Sequence, residues 1–156
     1  MRPTHLREDG SLTMVDVAAK PLSQRWAHAC ARVRMSEETE AALRAATLPK
    51  GDAFVAAQLA GIMAAKQTSQ LIPLTHPIAL DHVDVAFRWV APGTLQIDAT
   101  AKTTAQTGVE MEALTAAAIA ALTIYDMTKA LERGITIESL RLVEKRGGKR
   151  GSWSAP

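Results

Sequence analysis

One cysteine, Cys30, stands in the 156 residues, so the chain can close no internal disulfide and offers no cysteine-based zinc site. That usage fits a reducing compartment. Aromatic residues make up only 4%, which leaves the core to Ala, Leu, Ile, Val and Met. Small side chains let elements pack closely, but each buries little area. An Ala-rich chain of this size is therefore expected to gain further burial by self-association. The longest uncharged helical stretches, 53–65 and 113–125, are shorter than the roughly 18 apolar residues of a membrane span. No apolar signal segment follows Met1, so the expected location is the cytoplasm.

What is present describes a globular chain, 47% hydrophobic and 22% charged, of a length that suits one domain. The net charge is +2, unevenly placed: residues 141–156 carry +4 and the rest −2. That excludes a basic body coating nucleic acid and leaves one cationic end. The expected organisation is a mobile N-terminal arm over residues 1–13, one domain over 14–145, and a flexible, basic, Gly-rich tail over 146–156.

Residues 27–35 alternate, with Ala27, Ala29, Ala31, Val33 and Met35 on one face against His28, Cys30, Arg32 and Arg34, a strand with one buried side. Ser36 followed by Glu37, Glu38 and Glu40 reads as a helix start, and the helix runs to about Ala46. Asp52 is the expected N-cap of a second helix through Phe54, Val55, Leu59, Ile62 and Lys66. Two alternating strands follow, centred on Val83–Trp89 and Leu95–Ala101, joined by Ala91-Pro92-Gly93. Thr107 and Glu110 match a capping box, opening a long helix to about Arg133, with Gly134 ending it. In the last strand, 135–144, the apolar phase shifts, which a bulge near Ser139 explains. The order β-α-β-β-α-β predicts an α+β, ferredoxin-like fold: an antiparallel sheet with Ala-rich helices on one face.

The long helix carries no charge between Glu112 and Asp126, then places Asp126 and Lys129 at i, i+3 on one face. This pair is either a surface ion pair or a desolvated acid and base with tunable pKa values. Glu110 and Glu112, at the other end, either favour the helix N-terminus or accept two N–H donors from a guanine-like ring edge. Leu74-Thr75-His76 lies in a loop stiffened by Pro73 and Pro77. Asp52, His76, His82 and Asp84 show no metal-ligand spacing, so no protein-bound metal is expected. Lys145, Arg146, Lys149 and Arg150, interleaved with glycines, read as a solvated tail, a phosphate clamp or a weak RNA-binding segment.

These segments carry a resemblance. Lys50-Gly51-Asp52, Leu71-Ile72-Pro73-Leu74-Thr75-His76-Pro77, Thr107-Gly108-Val109-Glu110-Met111-Glu112-Ala113-Leu114-Thr115-Ala116, Ala120-Ala121-Leu122-Thr123-Ile124-Tyr125-Asp126-Met127 with Lys129, and Lys145 with Gly147-Gly148-Lys149 recur in this order in one family. Over roughly residues 14–151 the chain resembles the MoaC family, the cyclic pyranopterin monophosphate synthases of molybdenum-cofactor biosynthesis. The resemblance implies a lyase that converts 3′,8-cyclo-7,8-dihydroguanosine 5′-triphosphate, the product of an upstream radical enzyme, to cyclic pyranopterin monophosphate with release of pyrophosphate. It implies Asp126, Lys129 and Lys50 as acid–base groups. Leu74, Thr75, His76, Glu110, Met111 and Glu112 would bind the substrate, with Lys145, Lys149 and Arg25 on its phosphates. No protein-bound cofactor is implied; Mg²⁺ would arrive with the triphosphate or leave with pyrophosphate. The family is a homohexamer, a trimer of dimers with sites shared between subunits, and uses neither nucleic acid nor membrane. Thr75 stands where the family more often has Cys, and Arg146 and Arg150 where it has smaller residues.

Two other readings of the same residues are a nucleotide-sensing module without chemistry and an RNA-binding accessory protein using the tail. Release of pyrophosphate in turnover separates the first reading from both.

Overall fold

The computed structural model describes residues 5–149 and 151–156. Four long strands, β1 (Ser23–Arg34), β2 (His82–Ala91), β3 (Thr94–Ala105) and β4 (Thr136–Arg146), form an antiparallel sheet. A two-residue strand, β5 (Trp153–Ser154), completes the order β2-β3-β1-β4-β5. Between β1 and β2 lie α1 (Glu37–Arg44), α2 (Ala53–Lys66) and the single turn α3 (Thr68–Leu71); α4 (Glu110–Thr128) joins β3 to β4. Strand order and crossovers are those of the ferredoxin-like arrangement, with β5 added at one edge.

The alternation of β1 is realised in burial: Ala27, Ala29, Ala31 and Val33 are fully covered, and Met35 nearly so. Across the register, Ala27 pairs with Ala101, Ala29 with Ala99 and Ala31 with Ile97. This floor of methyl groups meets Ala113, Ala116, Ala117, Ala120, Ala121 and Ile124 of α4. Small residues on both sides bring helix and sheet backbones close, as large side chains would not. α2 packs along α4 and over β2. There Gly61 lies against the Ala116 carbonyl and Val85, too close for a side chain to enter without displacing them.

The caps of α1 and α2 are those expected. Ser36 accepts from the Thr39 N–H, and Asp52 from the N–H groups of Phe54 and Val55. The expected capping box on α4 is not formed. Its N-cap is Val109, with no side-chain bond, because Glu110 turns away to Lys145. α4 also stops short of Arg133: the buried Thr128 hydroxyl bonds back to the Ile124 and Tyr125 carbonyls, and residues 129–131 close as turns. In β4 the register against β1 shifts twice, once near Ser139 as expected and once at Val143. The expected boundary at 146 does not divide the fold, since β4 reaches Arg146 and β5 pairs back onto Glu144 and Lys145. At the N-terminus, Leu6 and Leu12 bridge a small turn. The expected arm's first four residues, and Arg150, lie outside the described residues.

The excess apolar surface sits on α2 rather than on α4. α4 is covered by the sheet and α2, with Leu122 exposed, whereas Val55, Leu59 and Met63 form an exposed stripe at i, i+4, i+8. Among the described residues no helix is long and apolar enough to cross a membrane.

The β2–β3 hairpin turns at Pro92 and Gly93, with Gly93 at φ 68°. A Cβ there would fall on the Met35 carbonyl oxygen. Gly93→Ala is therefore expected to destabilise the fold by about 2 kcal/mol or more, read as a lower urea midpoint. A midpoint equal to that of the wild type would show that this turn is not built as described.

Candidate active site

α4 presents chemistry at both ends. At its C-terminus, Lys50 Nζ lies 3.0 Å from Asp126 Oδ2 and donates to the Asp126 carbonyl oxygen at 2.9 Å. Lys129 Nζ lies 2.5 Å from Asp126 Oδ1. Three segments thus converge: the loop before α2, the last turn of α4, and its C-cap residue. A cation at a helix C-terminus is favoured by the macrodipole.

All three side chains are about half exposed, so of the two readings open from sequence the single chain shows the surface ion pair rather than a desolvated acid and base. Hydrogen bonds from Lys129 and then Lys50 hold the Asp126 carboxyl below its usual range, and the bond to Asp126 raises the Lys129 ammonium above its own. The resting cluster is two ammonium groups on one carboxylate, with net positive charge.

At the N-terminus of α4, Lys145 Nζ bonds Glu110 Oε1 at 2.8 Å across from β4. Glu112 is almost wholly buried, and its carboxyl is pushed up to about 7, first by burial and also by the charge of Glu110. Met111 is half-buried beside it. Arg25, on β1, packs beneath Gly147 and Gly148: a Cβ on Gly148 would collide with the guanidinium. The Arg25 Nη2 donates to the Gln106 carbonyl at 3.4 Å, while its buried Nε has no partner among the described residues. Lys149 is exposed.

The loop of Leu74, Thr75 and His76 belongs to this same end. Its continuation runs beside β3, where Thr103 donates to the Ala79 carbonyl and the Asp81 N–H to that of Lys102. His76 Nε2 lies 2.7 Å from the Val15 carbonyl oxygen, and Gln106 Nε2 donates to that of Ala18 at 3.2 Å. Residues 15–18 thereby strap the His76 loop to the Arg25 region. The bond fixes the ring with Nε2 protonated and leaves Nδ1 for another partner. Thr75 closes its own turn, donating from its hydroxyl to the Ile72 carbonyl at 2.9 Å. Leu74 is half-buried.

Two participants escape sequence reasoning. The Val15 carbonyl is backbone, with no signature in residue type. Glu132 binds Ser36 and Thr39 from 96 and 93 positions away, and only its place just beyond Lys129 hints at a role. Arg146 does not face the Arg25 end; it pairs with Glu144 and stacks on Trp26, 4.5 Å from the ring centroid. Among the described residues no three His, Cys, Asp or Glu side chains gather as a metal-holding group.

The residues expected to bind substrate thus meet at one end of α4 and the acid–base groups at the other. Glu110 and Asp126 are sixteen residues apart on one helix, roughly 24 Å at 1.5 Å per residue.

A ferredoxin-like α+β domain with the Lys50/Asp126/Lys129 cluster at one end of a buried helix and Glu110, Glu112 and Lys145 at the other is the class this fold and site define. The match to a family model narrows it: residues 14–148 fit the MoaC family, and the chain belongs to it. It is 55% identical over 152 residues to a protein of Novosphingobium aromaticivorans named cyclic pyranopterin monophosphate synthase, covering 97% of this chain and 96% of that one. Relatives of the same name in a Nostoc species and in Desulfitobacterium hafniense are 56% and 50% identical. Those alignments span 98% and 97% of this chain, and 92% and 93% of theirs.

Glu112 generates a pH prediction. Its carboxyl is ordinarily near 4.5 and is raised to about 7 in the fold, so its contribution to stability is fullest below about 4.5 and falls as pH rises to about 7. Glu112→Gln should therefore gain about 1–3 kcal/mol over wild type at pH 8 and little at pH 4. Equal differences at both pH values in urea unfolding would refute a neutral buried Glu112.

Proposed function

We propose that this chain catalyses the cyclic pyranopterin monophosphate synthase reaction. It is a lyase that takes 3′,8-cyclo-7,8-dihydroguanosine 5′-triphosphate to cyclic pyranopterin monophosphate and pyrophosphate, in molybdenum-cofactor biosynthesis. The observation that carries the reading is the convergence of Lys50 and Lys129 on Asp126, in a chain more than half identical along its length to a protein of that name.

The chemistry follows from the groups. Rearranging purine and ribose into a pyranopterin needs protons delivered to and removed from ring atoms. Lys50 and Lys129 are ammonium donors, and Asp126 is the carboxylate that aligns them and accepts. Because the resting cluster is fully charged, substrate must enter between these groups and displace water before a proton moves. At the other end, Glu112 titrates near neutrality and can donate to or accept from a guanine-like edge. His76 presents Nδ1, with Leu74 and Thr75 in the same loop, and Met111 stands next to Glu112 on α4. Lys145 is held by Glu110 until a phosphate competes for it, and Arg25 and Lys149 add charge for the triphosphate. Mg²⁺, where it takes part, travels with the triphosphate or pyrophosphate.

Neither end alone brings together all the groups this reading needs, which supports a homo-oligomer; the family resemblance implies a hexamer built as a trimer of dimers. The Lys50/Asp126/Lys129 end of one copy faces the Arg25/His76/Glu112/Lys145 end of another. The exposed Val55, Leu59 and Met63 stripe is the apolar surface such an assembly would cover. The enzyme acts in the cytoplasm, where its substrate is made.

Incubation with the cyclised substrate should yield a pyranopterin and pyrophosphate; absence of both from folded wild type would refute the reading. Lys129→Ala should lose turnover by ~10²-fold or more while remaining folded, the usual size of an acid–base contribution. Near-normal turnover would return Lys129 to a surface ion pair. Shared sites give a separate expectation. Lys129→Ala and Lys145→Ala homomers, each nearly inactive, should regain part of wild-type activity when mixed under subunit exchange. No recovery in verified mixed oligomers would place the whole site in one chain.

A further inference from the structure

Glu132 sits in the turn after α4, outside every motif and far in sequence from what it binds. Its Oε2 accepts three hydrogen bonds: from the Ser36 N–H at 2.9 Å, the Ser36 hydroxyl at 2.8 Å and the Thr39 hydroxyl at 2.8 Å. The protons account for themselves. The Ser36 hydroxyl gives its one proton to Glu132 and uses a lone pair to accept the Thr39 N–H at 3.2 Å. The hydroxyl of Thr39, itself buried, gives its own proton to Glu132. Ser36 already caps α1, so that helix does not need a distant carboxylate for its N-cap. What Glu132 adds is a tie between the start of α1 and the segment that begins at Lys129.

That tie reaches both lysines. On one side, the N–H groups of Leu131 and Glu132 bond the Thr128 carbonyl at 2.8 and 3.2 Å, so Lys129 lies within a turn closed between buried Thr128 and the clamped Glu132. On the other side, α1 is a strut of eight residues, about 12 Å long, fastened near its middle by Glu40 to the Gly93 N–H at 2.6 Å. Its end is a stiff corner: Ala46 holds φ 52°, the Thr47 N–H bonds the Ala42 carbonyl, and Leu43 and Leu48 are buried. Lys50 follows two residues later.

We propose that Glu132 is a positioning residue for the Asp126 cluster. By clamping α1 to the turn after Lys129, it sets the places of both ammonium groups on Asp126. The proposal rests on the reading of that cluster as the acid–base centre. Every partner of this Glu132 oxygen is a donor, which favours the ionised form. The Ser36 N–H in the first place, with the two hydroxyls, keeps its carboxyl below the usual range against the cost of burial.

The test has two readouts. The first needs no substrate: titration of the Asp126 carboxyl by carbon-13 NMR in wild type and Glu132→Ala. The variant is expected to return Asp126 toward the ordinary carboxylate range, as its lysines loosen. An unchanged titration overturns the proposal whatever the activity. The second is steady-state kinetics, in which kcat is expected to fall ~10- to 100-fold with a smaller change in KM, the scale of misplacing catalytic groups by about an ångström. Glu132→Gln, which keeps an acceptor oxygen, should recover part of that loss. Unchanged kcat, or a loss confined to KM, in a folded variant also overturns it. If Glu132→Ala does not fold, Thr39→Val removes one donor in a near-isosteric swap and is expected to move both readouts the same way by less; no movement overturns the proposal. Wild type that binds but does not turn over the substrate refutes the proposed function instead, and the titration then decides the clamp by itself.

Discussion

The close approach of α4 to the sheet is the constraint from which the rest follows. Alanine faces alanine across that interface, with Ala27, Ala29, Ala99 and Ala101 below and Ala113, Ala116, Ala117, Ala120 and Ala121 above. Large side chains would hold the layers further apart, and a polar one would be left without water or partner. The helix runs uninterrupted for 19 residues and carries no charged side chain between Glu112 and Asp126. Its charged groups are thereby confined to its two ends.

This division gives the two ends different electrostatics. At the C-terminal end the charged groups are exposed and compensate one another, so their pKa values move apart: the Asp126 carboxyl down, the Lys129 ammonium up. At the N-terminal end burial dominates, and Glu112 is driven toward neutrality beside a carboxylate already paired with Lys145. One end is a set of exposed, mutually compensating charges, the other a buried carboxyl near neutrality beside a paired carboxylate. The proposed function needs both ends in one site, and it is on that reading that a second copy supplies the other end, since a straight helix cannot fold its own ends together. The apolar stripe of α2 lies uncovered in the single chain, as an assembling surface would.

The outer face of the sheet balances its charges locally. Asp98 accepts from His28, Arg88 and Gln96, which together outweigh burial and keep its carboxyl below the usual range. Arg146 is likewise absorbed by Glu144 and Trp26 on that face. Arg88 and Arg146 are thus held by carboxylates of this face.

Period and punctuation alone determined much of this protein. The alternation of 27–35 named the buried face of β1, Ser36 and Asp52 announced their helices, and Pro92-Gly93 announced the hairpin, because each is a local rule obeyed within a few residues. Asp126 and Lys129 were legible as one face at i, i+3, and the family motifs marked Lys50, His76, Glu110, Glu112 and Lys145. The N-cap of α4 was misread because Glu110 had a better partner: Lys145 lies 35 positions away in sequence but 2.8 Å away in space. Its early end and the role of Glu132 were equally hidden, being set by hydroxyls and a turn that meet only after α1 has packed. That the Asp126 cluster and the Glu110–Lys145 pair lie roughly 24 Å apart was decided by tertiary structure alone. A motif records which residues belong together, whereas the distance between them follows from the one straight helix that alanine packing enforces.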